Sequence, residues 1–204
     1  MDYPKPTVKL NNEERYALNR ILQSQYFHAI RMHYGGDFAK RSGIPLINHI
    51  IEGLCILIRI GAPRSVCGAW CFHPIIQSDE DLRKTLEQTT RLHNGEYSKI
   101  NFAAILLAME YRHVANSYLS QHVNVDLDII KDQVNAIPGI REMLIADKIQ
   151  NWKDFSSQPK GTYPNEMRLH EYFDEWCYRI LDLGLAEVGE LTSLITTGKG
   201  DDEE

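Results

Sequence analysis

Asp147 and Asn151 stand four residues apart in Ile145-Ala146-Asp147-Lys148-Ile149-Gln150-Asn151-Trp152, a polar stretch inside an apolar run. On a helix that spacing puts both side chains on one face. Flanked by Ile145, Ala146 and Ile149, the carboxylate is expected against the core. There it is costly unless a cation, a hydrogen-bond donor or a metal meets it. An ordinary structural Asp–Lys helix would carry the same residues. Two upstream segments, Ser42-Gly43-Ile44-Pro45-Leu46-Ile47-Asn48-His49 and Phe72-His73, strengthen the chemical reading. They place three potential ligands, His49, His73 and Asp147, on three separate helices. A lone His on an apolar helix is more often a satisfied core residue, so it is the set of three that counts. Glu110 and His113 are spaced i, i+3, and Asn116 extends that face. Glu-x-x-His can ligate a metal, and an exposed ion-paired face explains it equally well. Lys40 and Arg41 are adjacent cations near Gly43 and Pro45. Beside a buried site they suit phosphate; away from one they are a solvated basic loop.

The elements that must position these groups read as helices throughout. Residues 1–10 form an extended arm with little periodicity. Asn11 or Asn12 caps a long helix, with Glu13 and Glu14 suiting its positive first turn. Leu18, Ile21, Leu22, Phe27 and Ile30 mark its buried stripe, and Gly35-Gly36 ends it. After a loop over 35–45, Pro45 leads into a nearly all-apolar helix from Leu46 to Ile60, so a central one, with His49 in its first turn. A third helix runs from Pro63 to about Phe72, because Pro74 disfavours helix at His73. Ser78-x-x-Asp81 is a capping box that starts a helix to about Leu92. His73, Gln77 and Asp79 therefore share a tight connection. Further helices follow over 98–121, 124–136 and 140–153. After a loop over 156–164 comes a long helix from about Asn165 through Leu181. The acidic stretch from Gly198 to Glu204 is expected to be disordered. No stretch reads as a strand and nothing repeats. The class is all-α: one bundle of about seven to nine helices over 11–197.

A chain of 204 residues with net charge −6 is long enough for a core of its own. The acidic balance and the lack of a Lys/Arg run argue against nucleic acid as a partner. The longest apolar runs, Leu54 to Ile58 and Phe102 to Met109, are too short to span a bilayer. The polar start Met1-Asp2-Tyr3-Pro4 is no secretory signal, which points to the cytoplasm. Cys55, Cys67, Cys71 and Cys177 sit in apolar helical contexts and read as reduced core thiols.

In order and wording, three motifs resemble the HD phosphohydrolase superfamily, and more closely the hydrolase domain of the RelA/SpoT alarmone enzymes and their small single-domain relatives. Arg41-Ser42-Gly43-Ile44-Pro45-Leu46-Ile47-Asn48-His49 resembles the family's basic loop ending in a metal-binding His. Ala146-Asp147-Lys148-Ile149-Gln150-Asn151 resembles its Ala-Asp-Lys/Arg-x-x-Asn helix. Arg168-Leu169-His170-Glu171-Tyr172-Phe173 resembles the start of the C-terminal helix in the small relatives. The match covers roughly residues 15–195. It implies an HD-type helical fold in which two His and two Asp hold a divalent cation, typically Mn2+, that orients water against a pyrophosphate ester. His49, His73 and Asp147 match three ligand positions. Lys40 or Arg41 falls near the residues that handle phosphate or base, and Asn151 matches the Asn near the nucleotide.

The chain also departs from the family. Pro74 stands where the namesake Asp follows His, and Gln77 and Ser78 replace the acidic pair that activates water. Asp79 or Glu80 can slide in as a substitute, which makes Asp79, Gln77 and Asn151 the candidate catalytic groups. One reading is then a regulatory pseudo-hydrolase. It would bind a nucleotide or phosphorylated small molecule through Lys40, Arg41, Glu110, Arg112, Asn116, Lys148 and Asn151. A second is an active metal-dependent phosphohydrolase with a rearranged site. A third is a helical module with no ligand.

Overall fold

A computed structural model describes residues 7–39, 43–92, 101–116, 127–156, 161–162, 165–182, 184 and 186–195. Lys40, Arg41, most of the expected arm and the acidic tail lie outside them. Among the described residues the chain is all-α, and the nearest approach to a strand is an isolated bridge between Phe38 and Pro45. No helix is long and apolar enough to cross a membrane.

Helix α1, Asn12–Leu22, opens on a full capping box: Asn11 accepts from the Glu14 backbone N–H, and Glu14 accepts from that of Asn11. The predicted long first helix is in fact two. Ser24 ends the run, its hydroxyl donating to the Ile21 carbonyl at 2.6 Å and accepting from the Phe27 N–H that opens α2, Gln25–Tyr34. A serine whose hydroxyl meets backbone groups on both sides offers the chain an alternative to continuous helix. Helical periodicity in Leu18, Ile21, Phe27 and Ile30 does not register such a break.

Helix α3, Leu46–Arg59, is buried without interruption from Ile50 to Leu57. It crosses α4, Arg64–Phe72, where Gly53 meets Trp70. The Trp70 indole donates to the Ile50 carbonyl at 3.1 Å, and its ring occupies the space a Cβ at Gly53 would need. A 3-10 turn, His73–Ile76, carries Pro74 into α5, Asp79–Leu92. Of the expected capping box the Ser78 half forms: Ser78 Oγ accepts from the Asp81 N–H at 3.0 Å and donates to Asp81 Oδ2 at 2.5 Å. Helix α6, Phe102–Val114, is capped by Asn101 and ends in a wide turn at 115–116. Of the longer helix expected there, 98–100 and 117–121 lie outside the described residues.

Helix α7, Leu127–Ala136, leads through Gly139 into α8, Ile140–Ser156. Gly139 takes a positive φ of 104° and lies against Leu107 and Val66, a position that suits glycine alone. Helix α8 is the axis of the bundle, buried on most sides and packed against α3, α4, α6, α7, α9 (Glu166–Asp182) and α10 (Val188–Ile195). Helix α10 goes beyond the predicted elements, and its Leu191 and Leu194 join the core.

The Gly53–Trp70 crossing gives a direct test. Gly53→Ala gains about 1 kcal/mol in helix propensity, yet the added methyl overlaps a fully buried indole. The expected net outcome is a loss of about 1–3 kcal/mol, read from the urea unfolding midpoint. An unchanged midpoint would mean that Trp70 moves aside freely.

Candidate functional site

Three elements bring the predicted ligands together. His49 projects from the first turn of α3, His73 opens the 3-10 turn, and Asp147 comes from the middle of α8. They share one cavity of about 310 Å³ with Tyr34, Pro74, Gln77, Tyr111, Ala115 and Asn151. The His49 and His73 rings lie 5.6 Å apart, and Trp70 stacks against both, at 4.9 and 4.5 Å. The crossing of α3 and α4 thus sets where both imidazoles sit.

Each imidazole is tethered through Nδ1. His73 Nδ1 donates to the Trp70 carbonyl at 2.7 Å, and His49 Nδ1 bonds closely to Gln150 Oε1. Burial pushes His73 down to about 3, helped by its neighbour His49 and opposed by Asp147, so the ring is neutral at ordinary pH. Burial works against ionisation of Asp147, but Lys148, His49 and His73 together outweigh it and hold the carboxyl below its usual range. Asn151 Nδ2 donates to Asp147 Oδ1 at 2.9 Å, as the i, i+4 spacing predicts. The Tyr111 phenol is pushed up by burial and by the Asp147 carboxylate.

A second cavity, of about 220 Å³, adjoins the first and shares Tyr34, His49 and Asn151 with it. Ala39, Ile44, Pro45 and Leu46 give it an apolar wall, and Asp154 stands at its edge.

The other predicted site residues fall in three places. Gln77 and Asn151 line the first cavity. Arg112 and Asn116 instead clamp the turn before α5: Arg112 Nε and Asn116 Nδ2 both donate to the Gln77 carbonyl at 3.2 Å, and Gln77 Nε2 donates to Asn116 Oδ1 at 2.9 Å. Asp79 is almost fully exposed, pairs with Arg112 and lines neither cavity. Glu110 also lies outside both linings. Lys148 is buried and turned toward α9. Its Nζ donates to the Tyr172 hydroxyl at 3.0 Å, lies 4.8 Å from the Trp176 ring centre and stands 3.5 Å from Asp147 Oδ2.

Gln150, Tyr111, Tyr34 and Asp154 were not singled out from the sequence. The signal for two of them was available: Asp147, Gln150 and Asp154 recur at i, i+3, i+7, the same helix face already noted for Asp147 and Asn151.

Although His49, His73 and Asp147 line one cavity, no group of three or more His, Cys, Asp or Glu side chains among the described residues is placed to hold a metal ion. Pro74, at the position of the family's next ligand, brings no donor atom to the cavity wall. Among the described residues, the cavity lining does not make up the two-His, two-Asp donor set that the resemblance implies. No family model, curated protein or solved structure matches this chain.

Two stability outcomes follow from the buried charges. Lys148→Met leaves Asp147 without its nearest cation, at an expected cost of about 3–5 kcal/mol, measurable by urea unfolding. The second concerns pH. An unfolded imidazole titrates near 6.5, whereas His73 in the fold takes a proton only near 3. Between these values the unfolded chain binds more protons, so stability falls as pH drops from about 6.5 toward about 3. Asp147, held below its usual range, acts in the same direction at the acid end. Unfolding midpoints should decline across this window, and His73→Gln should flatten the decline.

Proposed function

We propose that this chain is a cytoplasmic nucleotide-binding protein on an HD-like helical frame, a regulatory relative of the RelA/SpoT-type hydrolases. The observation that carries the reading is the meeting of the two cavities at His49 and Asn151. One lobe is polar, with Asp147 and two imidazoles. The other has an aliphatic wall suited to a flat ring. At about 310 Å³ the first lobe reaches the lower end of the range of small-molecule sites, and the second, of about 220 Å³, adjoins it; the division suits a ligand with one polar end and one planar end.

Charge limits how a phosphate would be held. No Lys or Arg among the described residues lines the polar lobe, and Asp147 repels an anion there. The cations this reading needs are Lys40 and Arg41, which follow Ala39 in the chain and precede Ile44, both lining residues of the apolar lobe. Pro74 in place of an acidic ligand, together with Gln77 and Ser78 in place of the acidic pair, favours binding over turnover.

The alternative is a metal-dependent phosphohydrolase with a rearranged site. Its support is the tethering of both imidazoles through Nδ1, which leaves Nε2 as the free ring nitrogen, the arrangement metal-bound histidines use.

Calorimetric titration of nucleoside di- and triphosphates, with EDTA and then with manganese, separates the two. The binding reading expects heat of binding in EDTA, weakened roughly tenfold or more in Asn151→Ala and in Lys40→Ala/Arg41→Ala, a loss of about 1.4 kcal/mol or more. The hydrolase reading expects manganese-dependent phosphate release that EDTA abolishes and Pro74→Asp increases. Neither binding nor release would leave a helical module without this ligand.

A further inference from the structure

We infer that Gln150 is a positioning residue for His49: by accepting the Nδ1–H it holds the imidazole in the tautomer that presents an unprotonated Nε2 to the cleft. The importance of this for ligand binding rests on the function proposed above; the inference itself concerns only the ring.

An amide oxygen accepts and cannot donate, so the His49 nitrogen bonded to Gln150 Oε1 must carry the proton. The amide's orientation follows from its other neighbour. Asp154 is a carboxylate one helical turn along α8, and a carboxylate only accepts, so the nitrogen end of the amide belongs on its side. Burial holds the Asp154 carboxyl above its usual range, and hydrogen bonding from Gln150 works against that rise. Even so, Gln150 Nε2 has no partner at ordinary hydrogen-bond geometry among the described residues.

Gln150 is wholly buried. A buried amide has to find polar partners for both its ends, a demand that an aliphatic side chain on the same helix face would not make. The geometry assigns the amide a task that packing alone does not require. His73 is held in the same way, but by the Trp70 backbone carbonyl, which no substitution at position 70 removes. His49 is the only one of the two rings held by a side chain.

The chemical consequence concerns the junction of the two lobes. With Nδ1 engaged inward, His49 meets a ligand as an acceptor. Asp147 nearby is an acceptor too. The matching ligand group is a hydroxyl, an N–H or a cation rather than a bare phosphate oxygen. In a nucleotide the sugar hydroxyls fit this description.

The test is long-range 1H–15N correlation NMR of the imidazoles in the full-length, ligand-free protein at neutral pH, with His49 assigned by the loss of its signals in His49→Gln. In the wild type we expect His49 protonated on Nδ1 and bare on Nε2. Gln150→Leu should lose the Nδ1–H form in favour of Nε2–H, and Gln150→Glu, which keeps an acceptor oxygen, should retain it. His73 should keep its own pattern throughout and so report an intact site. Should Gln150→Leu disturb His73, Gln150→Met, closer in shape, carries the comparison. A wild-type His49 protonated on Nε2, or a tautomer unchanged in the aliphatic variant with His73 native, would overturn the inference. The readout needs no nucleotide. Failure to bind nucleotide with the expected tautomers would therefore sink the proposed function and leave Gln150's role standing.

Discussion

A carboxylate inside a helical core has to be met where it stands, and the arrangement around Asp147 follows from that requirement. Burial alone would push it toward the neutral acid. Lys148 supplies the first compensation, and its own burial is compensated by the Tyr172 hydroxyl and the face of Trp176. Asn151, one turn along, supplies a hydrogen bond. The result ties α9 to α8 through a cation that never reaches the cavity, and it leaves the carboxylate charged on the cavity side. This chain of dependence explains why Lys148, expected from the sequence to touch a ligand, serves here to support a charge.

The same economy of position governs the imidazoles. Gly53 lets the Trp70 indole close against α3, and Trp70 in turn packs beside both rings while its carbonyl holds His73. Stability and site geometry therefore share one contact. A change at the helix crossing acts on the cavity through Trp70, without any residue of the cavity being altered.

A second buried ion pair joins α8 to α3. Glu52 and Lys153 are both almost fully buried and 3.8 Å apart, and Glu52 also accepts from the backbone N–H and hydroxyl of Thr7. The segment before α1 is thereby joined to α3 and α8, with Val8 and Leu10 in the core. Expected as part of an extended arm, residues 7–10 belong to the packed body because Glu52 needs donors that the helices by themselves do not provide. An Asp or Glu in an apolar helix signals that a partner exists, but which partner answers it is a matter of which segments come near.

Local chemistry determined much of this protein from the sequence alone. The apolar run of α3, the capping residues Asn11 and Ser78, and the Pro74 break each act within a few residues, so the helical class and most helix ends could be read directly. The spacing of Asp147 and Asn151 likewise foretold their hydrogen bond. Only the tertiary structure decided which polar groups share a cavity. It set His49, His73, Gln77 and Asp147 together, turned Lys148 toward Trp176, spent Arg112 on the turn before α5, and brought Gln150 under His49, 101 residues away in the chain. Periodicity tells which face of a helix is buried, but neighbours on different helices are chosen by packing, through contacts such as Gly53 against Trp70 that no local pattern encodes.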